Sequence, residues 1–387
     1  MDFLSLQWLT LMMATVSLYW LCPASWRQLL VLVITLALLI YVSPLSAAIL
    51  TFFALSTYWL TRGEQVTLPR MCLALAVVVV VLAFFKIRFF NAGGSAGDII
   101  TNAAIPLGLS YYSFRCFHFI FERYRQTVEQ PPLKTFLAYL FFLPTILVGP
   151  INRFNDYFRE QEKVRWDAGY LSSGLERLLF GYFKVTFLAN FLVLGKLGEY
   201  ITTLPTEQVA LIAYLEILQD ALLLYLLFAG YSDIAIGFGL LLGIRVMENF
   251  NWPYLRKNIS EFWQSWHISL SSWCRDYIFF PVLASTRNPY VATLASFTVI
   301  GLWHEISLRY ICWGLFHGIG LLIWRYFQQF KRKYNLHWSQ LPGIGWVFVL
   351  LSILLTLHYV IFGLVIVNQP DLHSVWQVYK TILFSWI

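Results

Sequence analysis

Along most of the chain, apolar residues come in nearly unbroken runs rather than in the one-sided stripe of a soluble helix. Runs near 4–22, 27–42, 45–61, 70–88, 101–124 and 133–149 predict helices. So do runs near 171–196, 206–229, 230–244, 290–303, 308–328 and 343–367, and a short amphipathic helix is expected near 374–386. Crossing hydrocarbon takes about 20 apolar residues, a length several of these runs reach. Polar punctuation falls between them. "NAGGSAGD" (91–98) reads as a loop of small residues, and "VEQPPLK" (128–134) stops one helix before the next. "NRFNDYFREQEKVRW" (152–166) is the most polar stretch and belongs outside hydrocarbon. "RYFQQFKRKYN" (325–335) holds four Lys/Arg and no acid, which places it in the cytoplasm by the positive-inside rule. Residues 62–70 and 86–99 flank one span with two Lys/Arg each and leave its orientation open.

Two regions break the pattern. "NFNWPYLRKNISEFWQSWHISLSSWCRDYIFFPV" (249–282) is aromatic but never free of charge over 18 residues. It suits interfacial helices or a re-entrant segment better than a lipid-facing span. From 290 to 324 the chain is too long for one span and carries polar residues in mid-run. A break near Glu305–Leu308 is expected, which puts His304 at the end of a half-span, inside protein.

Composition makes the membrane reading firm. Of 387 residues 59% are hydrophobic and only 12% charged, where soluble domains carry about 25% charged residues. Aromatics reach 18%, with 16 Trp, as interfacial belts require. The net charge of +7 fits cytoplasmic loops, and no basic run or RNA motif points to nucleic acid. Cys22, Cys72, Cys116, Cys274 and Cys312 are scattered, odd in number and without C-x-x-C spacing, so neither a disulfide framework nor a zinc site is expected. The apolar N-terminus has Asp2 and no basic stretch, and reads as a first membrane helix rather than a signal peptide. With no linker, repeat or low-complexity segment, residues 1–387 read as one all-α polytopic membrane domain. About eleven to twelve transmembrane helices are expected, plus re-entrant or interfacial ones.

Chemistry concentrates on histidine. His337 and His373 lie in polar stretches and read as surface residues, and His358 as a helix-packing residue. His118 and His317 sit in aromatic segments that could line a cavity. His267 and His304 each follow a tryptophan ("SWHIS", "LWHEI") and fall in the two atypical regions. Ionisable residues at membrane depth are costly and mark functional sites by default; histidine is suited to proton transfer near neutral pH. A base in a buried tunnel could take a proton from a hydroxyl attacking a thioester. A proton-coupled transporter with a histidine relay, and a structural scaffold, stay open at this level. The lack of an internal hydropathy repeat argues against the transporter. No H-x-x-x-H, H-E-x-x-H or G-x-S-x-G spacing supports a metal site or a serine hydrolase. "GFGLLLG" (237–243) reads as close helix packing. Arg275 and Asp276 read as a structural ion pair within the bundle.

Five ordered segments resemble a known family: "IPLGLSYYSFR" (105–115), "LPTILVGPINRF" (143–154), "AGYSDIAIGFG" (229–239), residues 248–282 and "GLWHEISLRYICWGLFHG" (301–318). Together they are similar to the membrane-bound O-acyltransferases over a core of about 100–325. The similarity is greatest to the bacterial branch of the teichoic-acid D-alanyl transferase and the alginate O-acetylase. The resemblance implies a ring of helices around a central tunnel. His304 matches the histidine held to be catalytic, and His267 the second histidine, in "F-W-x-x-W-H-x-S-L-S". Trp263, Trp266, Trp303, Ser269, Glu305 and Asn258 become tunnel candidates, with Trp273 bracing them. Where the alginate branch has "H-G", this chain has His304-Glu305, and its "L-G-G-N-R" is replaced by "PVLASTRN" (281–288). "SFR" (113–115) looks like the D-alanyl branch, "SDIAIG" and "WGLFHG" like the acetyl branch. Glu305 would either raise the basicity of His304 or close a helix end.

The resemblance also implies partners. The donor would be acetyl-CoA or an acyl-phosphopantetheine carrier protein in the cytoplasm, with no tightly bound cofactor. The acceptor would be a hydroxyl of an extracytoplasmic cell-envelope polymer or of a partner protein. Since no soluble segment is legible, a separate extracytoplasmic transferase is expected as partner. The location would be the bacterial cytoplasmic (inner) membrane.

Overall fold

Helices form almost wherever the apolar runs predict them. The computed structural model describes residues 4–91, 106–336 and 344–385, and every regular element there is helical. Of the loop expected over 91–98, Asn91 ends a helix instead and the rest lies outside the described residues, as do the start of the run at 101 and His337. The chain divides into two compact units, one of Met1–Tyr182 with Gly230–Met247, the other of Phe183–Ala229 with Glu248–Ile387.

The first unit holds α1 (Leu6–Leu21), α2 (Ala24–Val42), α3 (Pro44–Leu60), α4 (Leu68–Asn91), α5 (Leu109–Tyr124), α6 (Leu133–Leu140), α7 (Phe154–Glu162) and most of α8 (Ala168–Phe183). Side chains such as Met12, Leu50, Phe53, Phe119 and Phe136 are fully buried in its core. The helix expected to reach 149 instead stops at Leu140, and a 3₁₀ turn follows at Leu143–Thr145. Arg115 explains the stop. It is 1% exposed, and its guanidinium donates to the carbonyls of Leu140 (3.2 Å) and Thr145 (2.5 Å) and to Thr145 Oγ1 (2.6 Å). Carbonyls that a continuing helix would have used are taken by this one side chain. His118 is structural in the same way: its buried Nε2 accepts from the Phe154 amide at 2.9 Å. Arg177 and Asp233 form an ion pair at 2.7 Å.

After α8 the chain takes a wider π-helical turn over Lys184–Leu197 and ends in α9 (Gly198–Thr203). The two helices expected over 206–229 and 230–244 are one, α10 (Val209–Leu241). Gly230 looks like a breaker but serves close packing: a Cβ on Gly181 would stand 2.8 Å from the Gly230 carbonyl oxygen. The second unit continues with α11 (Ile259–Trp263), α12 (Ile268–Cys274), a π turn (Arg275–Phe279) and α13 (Phe280–Thr286). Then follow α14 (Pro289–His304), α15 (Leu308–Lys333), α16 (Gly345–Asn368) and α17 (Leu372–Phe384). α11 and α12 have five and seven residues, too short to span. Arg275 and Asp276 do pair, at 3.0 Å, but Arg275 is 60% exposed, so the pair sits at the surface rather than within a bundle. Ser, Asn and Asp side chains carry N-caps: Asn258 accepts from the Glu261 amide at 2.9 Å, Ser307 from that of Tyr310 at 3.5 Å, and Asp371 from that of Ser374 at 2.8 Å.

Among the described residues, five helices are long and apolar enough to cross a bilayer: Ala24–Val42, Leu68–Ile87, Ala168–Thr203, Val209–Leu241 and Gly345–Asn368. Other expected spans are shorter or more polar, including the apolar Leu6–Leu21 and Pro44–Leu60. The chain is an all-α polytopic membrane protein.

Candidate active site

The site is built in the second unit, on the turn between α11 and α12 and on the break between α14 and α15. The break falls where the polar residues of 304–309 predict it. α14 ends at His304, and Glu305 closes it by donating its amide to the Gly301 carbonyl (3.1 Å). Ser307 then caps α15. The Glu305 carboxylate turns to Arg309, one helical turn on, at 3.0 Å. Arg309 also donates to the Val367 carbonyl (3.4 Å) and to that of Gln369, so one guanidinium ties the break to the end of α16. The Glu305 carboxylate thus braces the break through Arg309. Glu305 and Arg309 are 12% and 19% exposed, so removing either leaves a half-buried partner charge. Arg309→Ala should therefore lower stability by about 2 kcal/mol. Denaturant unfolding of the detergent-solubilised protein checks this, and an unshifted midpoint contradicts it.

His304 is exposed rather than inside protein. As the last residue of α14 it meets Trp303 (ring centroids 4.5 Å apart), Trp313 (5.5 Å) and a stacked Tyr310 (5.9 Å).

His267 is the opposite case, 2% exposed. Its backbone is left-handed (φ 43°, ψ 54°), a conformation that costs a non-glycine residue energy and needs outside support. The support comes from Asn249, fully buried. The Asn249 carbonyl accepts from the Ile268 amide at 2.9 Å, while its Oδ1 meets His267 Nδ1 (3.1 Å), the Ser269 amide (3.3 Å) and Ser269 Oγ (2.9 Å). Phe228 and Trp303 face the imidazole edge-on at 4.8 and 6.4 Å. Burial first, and the nearby His304 second, hold the His267 pKa well below the usual histidine range, so the ring is neutral.

The other sequence candidates scatter around this pair. Trp266 stacks on Phe262 (5.6 Å) and Tyr254 (5.8 Å), and the Tyr254 hydroxyl donates to the Ala221 carbonyl at 2.8 Å. Trp263 is buried against Phe297 and His317. His317 sits in an aromatic box with Trp263, Trp313, Phe316 and Tyr359. Trp273 packs on Tyr277 at 5.1 Å. Asn258 caps α11, and Ser269 belongs to the Asn249 cluster. His358 is held between Tyr214 (2.9 Å) and the Leu354 carbonyl (2.7 Å), a packing role. Beside the turn lies a cavity of about 540 Å³ lined by Trp263, Gln264, Ile268, Ser271, Ser272 and Ser296, among others. Its size suits a small ligand, and the hydroxyls supply the polar contacts such sites use. Asn249 is the residue sequence reasoning misses: nothing in "NFNWPY" marks it out, and the fold brings it to His267.

Comparison with known proteins speaks to the chain as a whole. The profile of MBOAT, the membrane-bound O-acyltransferase family, matches residues 7–366. The probable alginate O-acetylase AlgI of Pseudomonas aeruginosa is 31% identical over 95% of this chain and 72% of its own length. The teichoic acid D-alanyltransferase of Bacillus subtilis is 33% identical over 69% of each chain. The peptidoglycan O-acetyltransferase of Helicobacter pylori is 25% identical over 80% of this chain and 64% of its own. Similarity of that extent, on a helical membrane fold, decides against a transporter or a scaffold: the chain belongs to the membrane-bound O-acyltransferase family and is an O-acyltransferase.

Proposed function

We propose that this enzyme moves a small acyl group from a cytoplasmic thioester across the bacterial cytoplasmic membrane onto a hydroxyl of a cell-envelope polymer or of an extracytoplasmic partner protein. The observation that carries the reading is the pairing of a buried, neutral His267 with an open His304 in one compact unit. His304 takes the proton as the acceptor oxygen attacks the thioester carbonyl. The C–O bond forms, the C–S bond breaks, and the proton passes to the leaving thiolate. General base assistance of this kind contributes about 10²–10⁴-fold. His267, held by Asn249, presents an unprotonated Nε2 that accepts from an amide N–H of the donor's arm and so orients the thioester. Trp263, Trp266 and Trp303 wall the approach, and the cavity lined by Ser271, Ser272 and Ser296 receives the acyl arm.

The donor is acetyl-CoA or an acyl-phosphopantetheine carrier protein, and no tightly bound cofactor is needed. Acetyl is the favoured group. The acetylase relative aligns with 95% of the chain and the D-alanyl relative with 69%. A separate extracytoplasmic transferase completes delivery to the polymer. Mass spectrometry of the envelope polymer from cells with and without the gene tests this. Loss of an acetyl ester that mild base also removes is expected. Loss of an alanyl ester would reassign the acyl group, and an unchanged ester pattern would overturn the reading.

A further inference from the structure

Asn249 and His267 are 18 residues apart in sequence, and the fold joins them through a hydrogen-bond set that fixes more than position. The Oδ1 site of Asn249 faces three groups: the Ser269 amide (3.3 Å), Ser269 Oγ (2.9 Å) and His267 Nδ1 (3.1 Å). A backbone amide can only donate. The atom facing it must therefore be the carboxamide oxygen; with the amide turned over, its NH₂ would point at an N–H. The oxygen in turn can only accept, so the imidazole nitrogen facing it must carry a proton. A neutral imidazole has one N–H, so in His267 the lone pair belongs to Nε2. The backbone reinforces this arrangement. The Asn249 carbonyl holds the Ile268 amide at 2.9 Å, and the Asn251 amide donates to the Ser265 carbonyl at 3.0 Å. The 249–251 segment thus brackets the turn whose centre is the left-handed His267.

We propose that Asn249 is a positioning residue that locks His267 in the tautomer with Nδ1 protonated, so that Nε2 meets the reaction as a lone pair. The role rests on His267 taking part in acyl transfer, as proposed above. An unlocked ring would divide between tautomers and rotamers, and the wrong tautomer presents an N–H where an acceptor is needed. Its neighbours are the aromatic faces of Phe228 and Trp303, with His304 as the titratable group that influences it. Asn249 therefore supplies the selection that the aromatic walls do not.

The test uses the full chain in lipid nanodiscs. Nitrogen-15 NMR of histidine-labelled protein, with the His267 signals identified by their absence in His267→Ala, reads the tautomer directly. The wild type should show a protonated Nδ1 and an unprotonated Nε2. Asn249→Ala should populate the second tautomer and lower kcat by about 10–100-fold with KM little changed, the size found for loss of a group that orients a metal-bound histidine. Asn249→Asp keeps the acceptor and adds a negative charge, which stabilises the imidazolium. It should restore most of kcat, with the acid limb of the pH–rate profile moved to higher pH. A single Nδ1-protonated tautomer and wild-type kcat in Asn249→Ala would overturn the proposal while the transferase reading stands. Full activity in His267→Ala would instead remove His267 from the reaction, and the tautomer role with it. If Asn249→Ala fails to accumulate, Asn249→Asp decides: a shifted acid limb supports the lock, and an unshifted one removes it.

Discussion

With His304 replaced by alanine, acyl transfer is expected to fall by about 10²–10⁴-fold, the usual contribution of a general base. That is about 3–5 kcal/mol of barrier. The protein itself should fold and melt as the wild type does. His304 is exposed at the end of α14, beside Tyr310 and Trp313, and surface substitutions usually stay within about 0.5 kcal/mol. The helix end does not depend on its side chain, because the Glu305 amide closes α14 and Ser307 opens α15. Loss of activity without loss of stability is thus the signature of a chemical role. The measurement is turnover of a labelled acyl donor in membrane vesicles, beside a thermal melt of the same preparation. KM should change little, since a general base acts on the transition state rather than on ground-state binding. Unchanged turnover at wild-type protein level would end the assignment of His304. His267→Ala should also lower turnover, but it opens a cavity at a buried, hydrogen-bonded position, so its melt should shift too.

These two histidines show how far the sequence reaches. The break that displays His304 is legible because Glu305, Ser307 and Arg309 interrupt an apolar run too long for one span. Helix caps and charge placement are local, and local signals survive in a linear reading. The 249–282 region is legible as non-spanning for the same reason: its charges recur too often for hydrocarbon. What escapes is anything decided by a distant partner. The early end of α6 depends on Arg115, which reaches the carbonyls of Leu140 and Thr145 from another helix. The continuity of α10 through Gly230 depends on Gly181 packing against it. His304 reads as enclosed because the run around it is apolar, yet at the end of α14 it is exposed. Asn249 carries no signal for its tie to His267, since their separation in sequence conceals a contact of 3.1 Å. Family motifs single out the two histidines but do not say which tautomer they adopt.

The second large effect concerns the helix pair that carries His304. A Cβ on Gly301 would fall on the Tyr310 carbonyl oxygen, and one on Gly314 on the Phe297 carbonyl oxygen. Both obstacles are backbone, so no rotamer change can relieve them, and α14 and α15 must separate. Gly301→Ala or Gly314→Ala should each destabilise by about 1–3 kcal/mol. Turnover should fall by about 10²-fold, since a misplacement of about 1 Å at a reacting group has that effect. Gly301 lies less than one turn from His304, so the displacement reaches the site directly. The pair of substitutions should cost less than the sum of the singles, because the first already opens the contact that the second would strain. Gly318 supplies the contrast on the same helix face. Its nearest obstacle is the tip of the Leu294 side chain, 3.1 Å from the added carbon, which can rotate aside. Gly318→Ala should cost under about 1 kcal/mol and leave turnover near wild type. Denaturant midpoints and turnover for the four variants decide between backbone contact and simple crowding. If Gly318→Ala were as damaging as Gly314→Ala, general crowding would explain both, and the close approach of α14 and α15 would not be what sets the position of His304.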